Sequence, residues 1–145
     1  MDAPNSYYRG TVKAIIRNDK DHVLMVREDS DFLDLPGGGI DHDLSIKESL
    51  AKELREEIDY TGDFAMDLVG AEIVERKQRT GYVMLLIYEV ALKNPYVAHC
   101  GKDASEVIYC DPNTYKGSSD RSLQLLYKYG ARDYSAQVDY SLTIS

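Results

Sequence analysis

Residues 35–61, LPGGGIDHDLSIKESLAKELREEIDYT, constrain the fold more than any other stretch of this chain. Three glycines, Gly37–Gly39, read as a loop running into a segment rich in carboxylates. Ser45 and Glu48 fit a capping box, which starts a helix expected to reach about Ile58. Each helical residue advances roughly 100°. With Ile46 at zero, Leu50, Ala51, Leu54 and Ile58 fall between about 40° and 140°, a core-facing stripe. Arg55, Glu48 and Lys52 fall between about 180° and 240°, the natural solvated face. Glu57 falls near about 20°, inside the apolar stripe, with Glu53 near about 340° and Glu56 near about 280°. Like charges at this spacing oppose each other along a helix, and a buried carboxylate is costly unless paired or bound to metal. A hard divalent cation with oxygen ligands resolves both problems; a solvated acidic face is the plainer alternative.

The same stretch resembles the Nudix box, the signature of the Nudix hydrolase superfamily, over residues 38–60. Gly38 takes its first position, and Glu53, Leu54, Glu56 and Glu57 take its Glu-aliphatic-x-Glu-Glu core. The lead-in Leu35-Pro36-Gly37-Gly38-Gly39 is also similar to the family's. Four positions depart from the pattern. Leu44 stands for the first Glu, Lys52 for an Arg, Asp59 for a Gly and Tyr60 for an aliphatic residue. Lys52 keeps the charge but loses the planar guanidinium fork, and Asp59 tolerates a left-handed helix end less well than Gly.

The resemblance implies an α/β fold, an α/β/α sandwich with a mixed β-sheet. It implies hydrolysis of a phosphoanhydride in a nucleoside diphosphate linked to another moiety, with Mg²⁺ or Mn²⁺ as cofactor. The metal ligands it implies are Glu53, Glu56, Glu57 and a backbone carbonyl of Gly37. Glu53 is the first candidate for general base, with Glu106 as the other candidate and Lys52 orienting a helix carboxylate. Arg27, Gly38 and Gly39 are the candidates for contact with the phosphorylated ligand. The eroded positions motivate an alternative, a nucleotide-binding or regulatory protein that has lost turnover.

The 145 residues suit one domain, with a core over about residues 6–130 and a polar tail over residues 131–145. The net charge of −8 argues against holding a nucleic-acid polymer by phosphate neutralisation. It does not argue against a small phosphorylated substrate, because bound metal inverts the local field. Cys100 and Cys110 lack metal-type spacing and read as reduced thiols. The N-terminal residues carry no apolar signal core, and Tyr82–Leu92 is too short to span a membrane. A cytoplasmic protein without membrane partner, a monomer or homodimer, is therefore expected.

Along the chain, residues 7–17 read as a strand, Asn18–Asp21 as a turn, and His22–Arg27 as the returning strand of a hairpin. Arg27 is either a phosphate contact or a strand-end surface residue. Glu28–Leu35 reads as a connecting loop whose Asp29, Asp31 and Asp34 are solvated. Asp67–Lys77 and Tyr82–Leu92 read as an antiparallel pair, leaving Glu72, Glu75 and Glu89 without a clear partner. Arg76, Lys77 and Arg79 form a small basic cluster. Residues 105–110 read as a short strand carrying Glu106, which is equally a surface carboxylate. Ser118-Ser119-Asp120 caps a last helix, about Arg121–Tyr129, with Gly130 as its stop.

Overall fold

The computed structural model describes residues 8–28, 32–75 and 81–140. Its strands are β1 (Tyr8–Ile16), β2 (Val23–Arg27), β3 (Leu33–Asp34), β4 (Gly37–Gly39), β5 (Phe64–Glu75), β6 (Tyr82–Leu92) and β7 (Glu106–Cys110). Its helices are α1 (Ile46–Ile58) and α2 (Arg121–Gly130). One sheet has the order β4-β1-β6-β5 and is mixed, because β1 runs parallel to β6 while the other pairs are antiparallel. The other has the order β3-β2-β7 and is antiparallel.

Strands β1 and β2 are buried along most of their length and send alternate side chains to opposite sides, as strands covered on both faces do. Val12, Ala14, Ile16, Leu24 and Val26 pack with Leu50, Leu54 and Ile58 of α1. Ile15, Val23 and Met25 pack with Leu125, Leu126 and Tyr129 of α2. One helix thus covers each side, which is the expected α/β/α sandwich with a mixed sheet.

The expected hairpin of residues 7–27 does not form. The turn is present: the Asn18 side chain accepts the Lys20 and His22 N–H groups, and Asp21 is left-handed at φ 61°. It delivers the chain to the second sheet instead of pairing it back along β1, the two segments sharing a ladder contact only at the bridge between Arg17 and Val23 among the described residues. The physical reason is that β1 and β2 are each buried on both faces, and each takes the central place in its sheet. Two readings made as loops are also corrected. Leu33–Asp34 pairs with Val26–Arg27 as β3, and the glycines pair with Thr11–Lys13 as the edge strand β4.

The strand carboxylates have partners. Glu72 binds Lys128 at 2.8 Å and accepts from the Tyr129 hydroxyl, and Glu89 binds Arg17 at 2.8 Å. Asp34 is ion-paired with Lys13 rather than merely solvated. Gly130 lies inside α2, where an added Cβ would meet Pro112 at 2.7 Å, so close packing rather than helix termination requires it. The tail folds back: Glu75 N–H donates to the Tyr140 carbonyl at 2.8 Å, and Asp139 N–H to Gln124 Oε1 at 2.8 Å. Asp29, Asp31 and the basic cluster of Arg76, Lys77 and Arg79 lie outside the described residues. Both cysteines are free thiols, Cys100 exposed and Cys110 buried. Among the described residues no helix is long and apolar enough to cross a membrane.

Candidate active site

Helix α1 begins as its sequence dictates. Ser45 accepts the Glu48 N–H at 3.0 Å, and Glu48 accepts the Ser45 N–H at 2.9 Å. It ends at Asp59, left-handed at φ 53°, whose carboxylate meets His99 Nε2 at 3.1 Å. Between these ends the helix turns Glu53 and Glu57, one turn apart, toward a cavity of ≈ 560 Å³. Lys13, Glu28, Phe32, Gly37 and Gly38 line it as well, and the first turn of α2 closes it.

Glu57 is 2% exposed, the deepest charged side chain among the described residues. Its Oε1 accepts the Gly37 N–H at 2.8 Å. Burial drives its pKa far above the ordinary carboxylate range, and a hydrogen bond shared with the Glu28 carboxyl drives it further. The Gly37 N–H and Lys13 offset only part of this. Glu53 is pushed up to about 6, mainly by burial and then by Glu56 and Glu28. Lys13 is the nearby cation. Burial works against its charge, yet Asp34 holds the ammonium above its ordinary pKa, through a 3.0 Å contact. Lys13 also donates to the Leu35 carbonyl at 3.3 Å, and its charge still acts on Glu57.

The glycines allow helix and strand to close up. An added Cβ at Gly37, where φ is 140°, would lie 2.0 Å from the Val12 carbonyl oxygen. One at Gly38 would lie 2.6 Å from the Glu53 carboxylate. Gly39 serves a different neighbour, because its Cβ would strike the Arg9 guanidinium.

The other residues singled out by sequence sit as follows. Glu56 lies outside the cavity lining, 3.8 Å from Lys102, and acts on Glu53 by its charge. Lys52 binds Asp41 at 3.1 Å, not a carboxylate of its own helix. Arg27 and Glu106 face each other across β2 and β7 and pair at 2.9 Å, neither of them lining the cavity. Sequence reasoning missed Glu28, Lys13 and Arg121. Lys13 had a signal, a charge in the middle of an otherwise buried strand; Glu28 had none beyond following the end of β2.

The donors present suit a hard divalent cation. Glu53, Glu57 and Glu28 offer oxygen donors that could hold one, and Lys13 and Lys52 offset only part of the pKa rise at Glu53. Among the described residues no three acidic, His or Cys side chains converge into a ready-made metal cage.

A family model described as NUDIX domain matches residues 7–127. Solved structures share the fold at low identity. A MutT protein from Methanosarcina mazei Go1 is 21% identical, with TM-score 0.70 over 91% of this chain and 99% of that one. The E. coli dihydroneopterin triphosphate pyrophosphohydrolase is 12% identical, with TM-score 0.68 over 86% and 97%. The NUDIX domain of Shewanella oneidensis NrtR, complexed with ADP ribose, is 18% identical, with TM-score 0.65 over 90% of each chain. No curated protein matches the sequence.

Proposed function

The chain belongs to the NUDIX domain family, and from that membership we propose that it hydrolyses a phosphoanhydride bond in a nucleoside diphosphate linked to another moiety. The observation that carries the reading is Glu57, a carboxyl group buried in the wall of a cavity that Glu53 and Glu28 also line. Glu53, Glu57 and Glu28 would hold Mg²⁺ or Mn²⁺, with Glu56 raising the negative field at Glu53 and the Gly37 backbone beside them. The bound ion would supply positive charge against the diphosphate and activate water for attack.

The chain's own residues do the rest. Gly37 N–H fixes the Glu57 carboxylate, so the ligand is oriented before any ion arrives. Glu53, with a pKa of about 6, is ionised at neutral pH yet basic enough to take a proton from water, the balance a general base needs. Glu106 is the weaker candidate for that role, being engaged with Arg27. The cavity volume lies within the range for small-molecule sites, which favours a nucleotide-sized ligand over a polymer.

Lys52 favours a second reading, a nucleotide-binding protein without turnover. It holds Asp41 rather than a helix carboxylate, so an orienting contact expected of the motif is absent. One experiment separates the two. Release of phosphate or nucleoside monophosphate is measured with nucleoside triphosphates, ADP-ribose, UDP-sugars and dinucleoside polyphosphates, with Mg²⁺ or Mn²⁺, beside Glu57→Gln. Metal-dependent turnover lost in the variant supports hydrolysis. Metal-dependent binding without turnover of any compound transfers the reading to a sensor.

A further inference from the structure

The charges lining the cavity differ in how far they are committed. Lys13 is bound to Asp34 and the Leu35 carbonyl. Asp120 caps α2, accepting the Leu123 N–H at 3.1 Å. Glu28, Glu53 and Glu57 are the proposed seat of a cation. Arg121 remains. Its guanidinium has no carboxylate within ion-pair distance among the described residues; the nearby acidic groups, Asp34, Asp139 and Asp120, act on it only at longer range. Its hydrogen bonds, to the Glu75 and Tyr140 carbonyls, are all at the 3.5 Å limit. It is half-buried, and burial pulls its pKa below the ordinary arginine value. A guanidinium partly withdrawn from water, without an ion-paired carboxylate among the described residues, in the wall of a ligand cavity is a receptor for an anion.

We propose that Arg121 binds a negatively charged group of the substrate, one separate from the diphosphate held at Glu53 and Glu57. The preferred substrate is then a nucleoside diphosphate derivative that carries a further phosphate or carboxylate, on its nucleoside or on the attached moiety, rather than one without that group. This rests on the functional reading above and extends it to the far wall of the same cavity. The weak carbonyl contacts fit the role, because they steer the guanidinium without neutralising it. Arg121 also sits where the returning tail meets the end of β5, through Tyr140 and Glu75, so its position is set by backbone.

The test uses compounds matched except for one anionic group: dephospho-coenzyme A with coenzyme A, NADH with NADPH, and UDP-glucose with UDP-glucuronate. The first two pairs report on phosphate and the third on carboxylate. For the wild type, Arg121→Gln and Arg121→Lys, kcat/KM is measured with Mg²⁺ and Kd by calorimetry under the same conditions. The wild type is expected to favour the charged member of at least one pair, and Arg121→Gln to cut that preference roughly tenfold to a hundredfold. The loss falls on KM and Kd more than on kcat, and Arg121→Lys restores part of it. Thermal melts of both variants check that the fold is kept, Arg121→Lys standing in should Arg121→Gln fail to fold. Equal treatment of charged and neutral members by the wild type, in turnover and binding alike, overturns the proposal. So does an anion preference that survives in Arg121→Gln. An Arg121-dependent preference in binding without any turnover would sustain this inference while sinking hydrolysis. Metal-dependent turnover indifferent to the added anion would do the reverse.

Discussion

Around Arg17 the charges are matched, while around Glu57 they are not. Arg17 Nε binds Glu89 at 2.8 Å, Nη1 binds Asp21 at 3.2 Å and the Gly130 carbonyl at 2.7 Å, and Nη2 binds the Tyr129 carbonyl at 3.1 Å. Arg132 adds a 2.9 Å bond to Asp21. Glu89 keeps one oxygen, Oε2, without a hydrogen-bond partner among the described residues, but its charge faces two guanidinium groups. At the other cluster Glu28, Glu53 and Glu57 are offset by two ammonium groups, Lys13 and Lys52, which Asp34 and Asp41 already hold. Both clusters tie together elements distant in sequence. The first gains its stability from the chain alone, and its cation also closes the C-terminal end of α2. The second resists full ionisation, which a cation bound from outside would favour.

The largest expected effect breaks the matched cluster. Arg17 has a side chain only 13% exposed. Arg17→Met strands the Glu89 carboxylate and two helix-end carbonyls, and should cost about 3 kcal/mol or more in urea unfolding. A loss under about 1 kcal/mol would show that this network is ornamental, and the contrast would collapse. Glu57→Gln tests the other side. Glutamine keeps an acceptor for the Gly37 N–H and removes one of the clustered negative charges. The metal-free variant should be no less stable than the wild type, while lacking the thermal stabilisation expected of the wild type in millimolar Mg²⁺. A Glu57→Gln variant as destabilised as Arg17→Met would place Glu57 among the structural charges.

Titration sharpens the comparison, because the two clusters have opposite signs. Glu53, at about 6 when folded, lies above its ordinary value of 4.5, and Glu57 is shifted the same way. The folded state therefore binds more protons than the unfolded chain across that window. Metal-free protein should lose stability as pH rises from 4.5 through about 6. Asp21 is held below its ordinary 3.8, first by the Arg132 hydrogen bond. Its contribution is present above 3.8 and fades as pH falls through the folded value. Melting curves of metal-free wild type, Glu53→Gln and Asp21→Asn across pH 3 to 8 separate the limbs. Glu53→Gln should flatten the slope above about pH 4.5, and Asp21→Asn the slope below about pH 4. A wild-type curve that rises through the Glu53 window would contradict the raised carboxylates.

Much of this was legible in the sequence where local rules agree. The capping box, the stripe of Leu50, Leu54 and Ile58, and the buried position of Glu57 all follow from one periodicity, and the structure has each of them. What was not legible depends on register between distant segments. Lys13 reaches the site because β1 pairs with the glycine strand, Lys13 opposite Gly37. Glu28 reaches it because β2 ends beside that strand, and Arg121 because α2 packs against the opposite side of the sheets. The false hairpin arose because a turn such as Asn18–Asp21 serves equally to reverse a chain within a sheet or to pass it to another. Burial on both faces of β1 and β2 decides between these, and periodicity alone does not expose it.

The smallest expected effect concerns the far end of α1, where the chain breaks a local rule without serving the cavity. Asp59 holds a left-handed conformation that favours glycine, at φ 53°, and sets a carboxylate against the negative end of the helix. Its compensation is the contact with His99, whose pKa is raised first by the Val97 carbonyl and then by Asp59. Both groups are exposed, so the pair contributes little and fades as pH rises past the folded His99 value. Asp59→Gly removes the conformational strain and should raise stability by up to about 1 kcal/mol. Because Asp59 lies outside the cavity, kcat/KM should stay within about twofold of wild type while the urea midpoint rises. A stabilised variant that loses metal-dependent turnover would mean that the strained helix end helps to aim Glu57. The uncompensated cluster would then extend to the whole last turn of α1, and the boundary between the two kinds of charge would have to be redrawn there.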